Sequence, residues 1–210
     1  MSDIQRQLIA TARAMQPAGL NRGTSGNVSV RHEDGYFITP TGLPYEALCA
    51  EDIPWMGLDG RVEGLRKPSS EWRFHRDLYA QRPEVGAVLH AHSPFAVSLA
   101  CLRRDIPPFH YMIARFGGDT LRCSDYAIFG SQALSDAALA AMDGRRGCLL
   151  ANHGLLVAGR DLAEALALAI ELEELCEQYW RACQLGEPVL LSAVEMAEVI
   201  EQFKGYGQQA

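Results

Sequence analysis

Apolar runs of strand length are joined by very short turns, and this feature narrows the fold most. Val28 and Val30 alternate with polar neighbours, Asp34-Gly35 marks a turn and Tyr36-Phe37-Ile38 follows, so residues 27–39 read as a hairpin. A second hairpin is expected around Asp59-Gly60, and 147–157 reads as two apolar strands interrupted at Asn152-His153-Gly154. Residues 85–92 read as a buried strand. Between these lie helical signals. Ile4, Leu8, Ile9 and Met15 give an amphipathic helix over 3–16, capped by Ser2 and ended before Pro17. Pro68-Ser69-Ser70-Glu71 opens another that carries Phe74, Leu78 and Tyr79 to about Arg82, and Ser93-Pro94 opens a third over 95–102. Helices also fit 131–142 and 161–185, and the Ser192-to-Glu195 capping box starts a short last one. Residues 105–118 are irregular. Hairpins interleaved with helices give an α/β (α+β) class with a mixed or antiparallel sheet.

The chain has 210 residues, 48% of them apolar, enough for one sizeable core, so 1–210 is expected to be a single domain. Every apolar run is shorter than the roughly 20 residues a membrane helix needs. The N-terminus lacks a basic segment leading into an apolar one, so a cytoplasmic, reducing setting with no membrane partner is expected. With 19 basic against 26 acidic residues the net charge is -7, which argues against nucleic acid as a partner. The six cysteines contain no C-x-x-C pair and read mostly as buried thiols.

His90-Ala91-His92 sits in or at the end of an apolar strand, where period-two alternation sends both imidazoles to the same side. His153 lies at a turn between strands. Three imidazoles with an open fourth position describe a catalytic zinc-like centre; singly, each also reads as a core or turn histidine. Glu71, at a helix start, is by itself a capping acid, and becomes a fourth ligand or a general base only if the fold brings it to the histidines. His32, near a hairpin turn, and His75, on a helix, read as ordinary partly exposed residues. Gly23-Thr24-Ser25-Gly26-Asn27, Thr39-Pro40-Thr41-Gly42 and Ser69-Ser70 are singly turn chemistry. Together they can cradle a phosphate through N–H groups, hydroxyls and a helix N-terminus.

These pieces, with His110-Tyr111-Met112-Ile113-Ala114 and Phe203-Lys204-Gly205-Tyr206-Gly207, follow one another in an order that resembles the class II aldolase/adducin family, and within it most closely the L-fuculose-1-phosphate aldolases. The resemblance implies a three-layer fold with a mainly antiparallel central sheet and helices on both faces, assembled as a homotetramer with intersubunit active sites. It implies one Zn²⁺ per subunit, or another divalent ion such as Mn²⁺ or Co²⁺, held by His90, His92 and His153, with Glu71 as a further ligand that becomes the base. By the same matching, Gly26, Asn27, Thr41, Gly42, Ser69 and Ser70 hold the substrate phosphate. Tyr111 of a neighbouring subunit is the proton donor, and Tyr206 helps close the pocket. The implied reaction is reversible cleavage of an L-fuculose 1-phosphate-like ketose 1-phosphate into dihydroxyacetone phosphate and a short aldehyde, through a metal-stabilised enediolate.

Residue chemistry agrees with the metal route. The alternative, a Schiff-base lysine, has only Lys67 and Lys204 to draw on, in a polar loop and in the tail. Two departures from the fuculose-phosphate pattern, Ala91 between the histidines and Arg115-Phe116 after Ala114, suggest an altered aldehyde pocket. Phe116 is expected there, favouring an apolar terminus as in 5-deoxyribulose 1-phosphate or 5-methylthioribulose 1-phosphate; its other reading is packing at a subunit interface. Pentulose-phosphate 4-epimerase, methylthioribulose-phosphate dehydratase and an adducin-like interaction domain are the remaining alternatives.

Overall fold

The computed structural model describes residues 3–203. Its strands in chain order are β1 Asn27–His32, β2 Gly35–Ile38, β3 Trp55–Gly57, β4 Val62–Glu63, β5 Ala87–Ala91, β6 Gly147–Leu150 and β7 Gly154–Gly159. They form one sheet in the order β4-β3-β2-β1-β5-β7-β6, and every neighbouring pair is antiparallel. The helices are α1 Asp3–Met15, α2 Trp72–Gln81, α3 Pro94–Ala100, α4 Gln132–Ala141, α5 Leu162–Leu185 and α6 Ala193–Phe203. The hairpin turns fall at the expected places, and the Ser2 cap of the first helix lies outside the described residues.

Alternation along the strands divides the core in two. Ala87, Leu89 and Ala91 of β5, with Leu155 and Val157 of β7 and Val28 and Val30 of β1, pack against α1, α3 and α5. Val88 of β5 and Leu156 and Ala158 of β7 face the other way, against Phe74, Leu78 and Tyr79 of α2 and Leu134 and Ala138 of α4. The result is helices on both faces of an antiparallel sheet, three layers in all. Because both faces are covered here, two of the polar residues that alternate with Val28 and Val30 do not reach water: Asn27 is 2% exposed and Ser29 is fully buried.

The topology gathers one set of chain ends. β1 begins where β5 finishes, with Asn27 opposite His90, and the turn between β6 and β7 lies at the same end, with Ala91 opposite Leu155. The start of α2 closes over this corner. Arg31 ties the far end of that helix to the sheet: Nε donates to Val85 O at 2.8 Å, and Nη2 donates to Tyr79 O at 2.9 Å and Arg82 O at 3.0 Å. A cation among carbonyls at a helix C-terminus satisfies otherwise orphaned acceptors and opposes the dipole.

The cysteine expectation needs correction. Cys148 and Cys176 are buried, but Cys49, Cys101 and Cys183 are exposed, and all six are free. Cys101 sits just past α3, Cys49 precedes a one-turn 3₁₀ helix, and Cys183 lies on α5 beyond its last buried residue, Cys176.

Removing the Arg31 clamp should cost about 2–4 kcal/mol, the scale of lost charge-assisted hydrogen bonds with acceptors left buried. Arg181→Met, which removes only an exposed i,i+4 pair with Glu177, should cost no more than about 0.5 kcal/mol. Urea unfolding of Arg31→Met and Arg181→Met measures both; equal losses contradict this account.

Candidate active site

The site is built from β5 outward. His90, fully buried on the α2 side of the sheet, donates Nδ1–H to Leu155 O at 2.7 Å. That bond fixes the tautomer and leaves the Nε2 lone pair aimed at the corner. His92 follows one residue past the strand end. His153 is carried on the β6–β7 turn, where Asn152 takes a left-handed φ of 53° that asparagine tolerates well. Two glycines allow the close approach. A Cβ on Gly154 would lie 2.3 Å from Ala91 O, and one on Gly26, at φ +80°, would lie 2.7 Å from His90 O.

Glu71, at the N-cap position of α2, comes down onto these rings. His90 Nε2 stands 2.9 Å from His92 Nε2 and 3.3 Å from Glu71 Oε2, while His153 Nε2 stands 3.2 Å from Glu71 Oε1. The ligand atoms of the four residues all lie within 4.8 Å of one another. The condition set for Glu71 by sequence reasoning, that the fold bring it to the histidines, is met.

Burial, and then the neighbouring imidazoles, push both His90 and His153 down to about 3, and burial lowers His92 as well. The rings are therefore neutral at physiological pH, as ligands must be. The bare Nε2 of His90 faces a carboxylate oxygen, and Glu71 Oε1 is buried without a hydrogen-bond partner. Buried acceptors turned toward one another call for a positive charge between them, and three imidazoles with a carboxylate form a donor set suited to a divalent cation.

Beside this cluster lies a cleft of about 200 Å³. Gly26, Asn27, Thr41, Gly42, Ser69 and Ser70, all assigned to phosphate from the resemblance, line it together with Glu71, His92 and His153. The loops are stitched to each other by Ser69 N–H donating to Thr39 O at 3.0 Å and Thr41 N–H to Lys67 O at 3.1 Å. Among the described residues the lining contains no Lys or Arg, so hydroxyls, backbone N–H groups and the start of α2 are what it offers an anion. A larger, open hollow of about 580 Å³ lies by Trp55 and Arg61 at the opposite side of the sheet, and contains none of these residues.

His75 was misread. It is fully buried, with Nε2 2.6 Å from Asn27 Oδ1 and Nδ1 2.7 Å from Ser29 Oγ, which in turn is 2.7 Å from Tyr79 OH. Asn27 Nδ2 donates to Glu71 Oε2 at 3.0 Å. The signal was present in the i, i+4 spacing of Glu71, His75 and Tyr79, which stacks them on one side of a helix, and in the i, i+2 spacing of Asn27 and Ser29.

The pocket role given to Phe116 is also overturned. Its ring is fully buried in the core of its own chain, against the position a Gly147 Cβ would occupy, and so reaches neither cleft nor interface. Arg115 pairs with Glu171 at 2.9 Å, and Ala91 faces away from the cleft into the α3/α5 core. Closeness in sequence to Tyr111 did not mean closeness in space. Tyr111 itself is half exposed at the start of a 3₁₀ helix and does not line the cleft of its own chain. Tyr206 lies outside the described residues.

A sequence profile described as Class II Aldolase and Adducin N-terminal domain matches residues 6–180. The chain belongs to this family. Its relatives are aldolases, and the chain is an enzyme of the class II aldolase type. It is 54% identical to a 5-methylthioribulose-1-phosphate/5-deoxyribulose-1-phosphate aldolase of Rhodospirillum rubrum, over 99% of this chain and 94% of that one. It is 44% identical to the L-fuculose phosphate aldolase of Escherichia coli strain K12, over 97% of this chain and 95% of that one. A solved structure of an L-fuculose 1-phosphate aldolase superposes with a TM-score of 0.94 at 40% identity, covering 97% of each chain. Class II aldolases depend on a metal, and this member carries a cluster able to bind one.

The depressed histidines have a stability consequence. Because His90 and His153 titrate near 3 when folded and near their ordinary 6.5 when unfolded, the unfolded chain binds more protons between those values. Stability of the metal-free protein is then fully present above about pH 6.5 and falls as pH drops toward 3. Calorimetry in chelator should find Tm level from pH 7.5 to about 6.5 and falling from there to 4.5; a Tm flat across the whole range contradicts the neutral buried cluster.

Proposed function

We propose that the chain reversibly cleaves a ketose 1-phosphate to dihydroxyacetone phosphate and a short aldehyde, with 5-deoxyribulose 1-phosphate and 5-methylthioribulose 1-phosphate as its substrates. The observation that carries the reaction is a His₃Glu donor set adjoining one small cleft whose seat of glycines and hydroxyls contains no lysine among the described residues. The 54% identity to a relative named for those two substrates supports the choice of aldehyde. The 44% identity to fuculose phosphate aldolases supports L-fuculose 1-phosphate as the second reading.

In this reading His90, His92, His153 and Glu71 hold a divalent cation, Zn²⁺ being the one that imidazole-rich, four-donor sites suit. When bound, the cation supplies Lewis acidity that draws electron density from the ketose carbonyl. The rest falls to the chain. Gly26, Thr41, Gly42, Ser69 and Ser70 anchor the phosphate, and Asn27 forms part of the same wall. Tyr111 of a neighbouring copy in a homotetramer takes the C4 hydroxyl proton as the C3–C4 bond breaks and that oxygen becomes the aldehyde. Glu71 returns a proton to C3, and in condensation removes it again.

Release of dihydroxyacetone phosphate from 5-deoxyribulose, 5-methylthioribulose and L-fuculose 1-phosphates, followed by a coupled assay, tests the assignment. The expected kcat/KM is at least about tenfold higher for the two 5-deoxy pentuloses, within the range that one small change in a pocket delivers. A higher value for fuculose 1-phosphate selects the second reading, and no triose phosphate from any of them removes the aldolase assignment. Glu71→Gln should abolish deuterium uptake by dihydroxyacetone phosphate in D₂O while the circular dichroism spectrum is retained; uptake at the wild-type rate takes Glu71 out of the base role.

A further inference from the structure

Beneath the carboxylate of Glu71 runs a closed line of buried polar groups that the reaction as described does not use. Asn27, Ser29, His75 and Tyr79 are each no more than 2% exposed, and hydrogen bonds of 2.6 to 3.0 Å join them in series to Glu71. They come from two elements only. Asn27 and Ser29 project from the α2 side of β1, and His75 and Tyr79 follow Glu71 at four-residue spacing along α2, so the two rows interleave.

The chemistry of the groups gives the line a direction. An ionised carboxylate only accepts, so the Asn27 carboxamide must present its NH₂ to Glu71 and its oxygen to the next group. That oxygen also only accepts, so His75 Nε2 must carry a proton. His75 is fully buried and has no carboxylate among its hydrogen-bond partners, and burial lowers its proton affinity; the ring is neutral and its Nδ1 is a bare acceptor. Ser29 Oγ–H therefore donates to Nδ1, and Tyr79 O–H donates to Ser29. Every donor in the series points toward the next group on the way to Glu71, with His75 accepting at Nδ1 and donating at Nε2.

We propose that His75 is a positioning residue for proton transfer: by donating Nε2–H to Asn27 Oδ1 it forbids the carboxamide to flip, and so keeps an N–H on the inner oxygen of Glu71. A flipped amide would set its oxygen against the carboxylate, and Glu71 would turn away from the reacting carbon. A side chain at position 75 that fills the space without donating removes this orientation and leaves the three imidazole donors of the metal cluster in place. The proposal rests on the reading of Glu71 as the base.

Two measurements test it. In the metal-free wild-type protein, long-range ¹H–¹⁵N spectra should find His75 as the neutral Nε2–H tautomer from pH 5.5 to 8; an Nδ1–H tautomer or a doubly protonated ring overturns the proposal whatever the activity. In the loaded enzyme, His75→Leu should slow deuterium uptake by dihydroxyacetone phosphate by about 10- to 100-fold, the usual cost of losing a partner that orients a site residue. KM and metal stoichiometry should stay unchanged. His75→Gln, whose amide can donate from the Nε2 position, should recover most of the rate. Adding His75→Leu to Asn27→Ala should cost little beyond Asn27→Ala alone, because both changes break one series. Wild-type rates in His75→Leu, or full additivity in the double variant, overturn the role of His75 and leave the aldolase reading standing. Absence of uptake in the wild type overturns that reading and the proposal with it, yet leaves the tautomer result meaningful.

Discussion

The register of β5 between β1 and β7 is the constraint on which the site depends. It sets Asn27 opposite His90 on one side and Leu156 opposite His90 on the other, so one line across the sheet carries an imidazole and the amide that holds Glu71. A slip of one residue would turn His90 into the α3/α5 core and Leu89 toward the cleft. Burial on both faces makes that slip very costly, since Val88 and Leu89 are both fully enclosed, on opposite sides. The same hydrophobic alternation that stabilises the sheet therefore fixes where the chemistry sits.

Around that strand the polar groups are deployed asymmetrically. The face under α1, α3 and α5 is almost wholly apolar, whereas the layer between the sheet and α2 holds His90 beside Glu71, with Asn27, Ser29 and His75 hydrogen-bonded in series to that carboxylate. Such a group is tolerated in a core only when each member finds a partner. All do, except one oxygen of Glu71, and that oxygen is directed at the histidine corner. The unsatisfied atom marks where the protein expects something it does not itself supply.

The local features of the fold were legible because local physics determines them. Asp34-Gly35, Asn152-His153-Gly154 and the Ser-Pro and capping-box starts each prescribe a turn or a helix end within a few residues. His90 and His92 could be paired by strand period, and the glycine and hydroxyl clusters grouped by their shared chemistry. What could not be read was which side of each element is covered. Ser29 read only as a polar neighbour in an alternating strand, Asn27 as part of a turn cluster and His75 as a partly exposed helix residue, because nothing in a short window announces a second helical layer. Phe116 failed for the opposite reason: adjacency to Tyr111 along the chain was taken for adjacency in space, while the 3₁₀ turn sends the two side chains to the outside and the inside.

The central claim is that residues 63 positions apart along the chain form one cation site. X-ray absorption spectroscopy of the Zn²⁺-loaded protein, with anomalous diffraction to locate the ion, tests it most directly. One ion per chain, bound through Nε2 of His90, His92 and His153, is the predicted result. An ion bound elsewhere, or one held by fewer than three imidazoles, would contradict it.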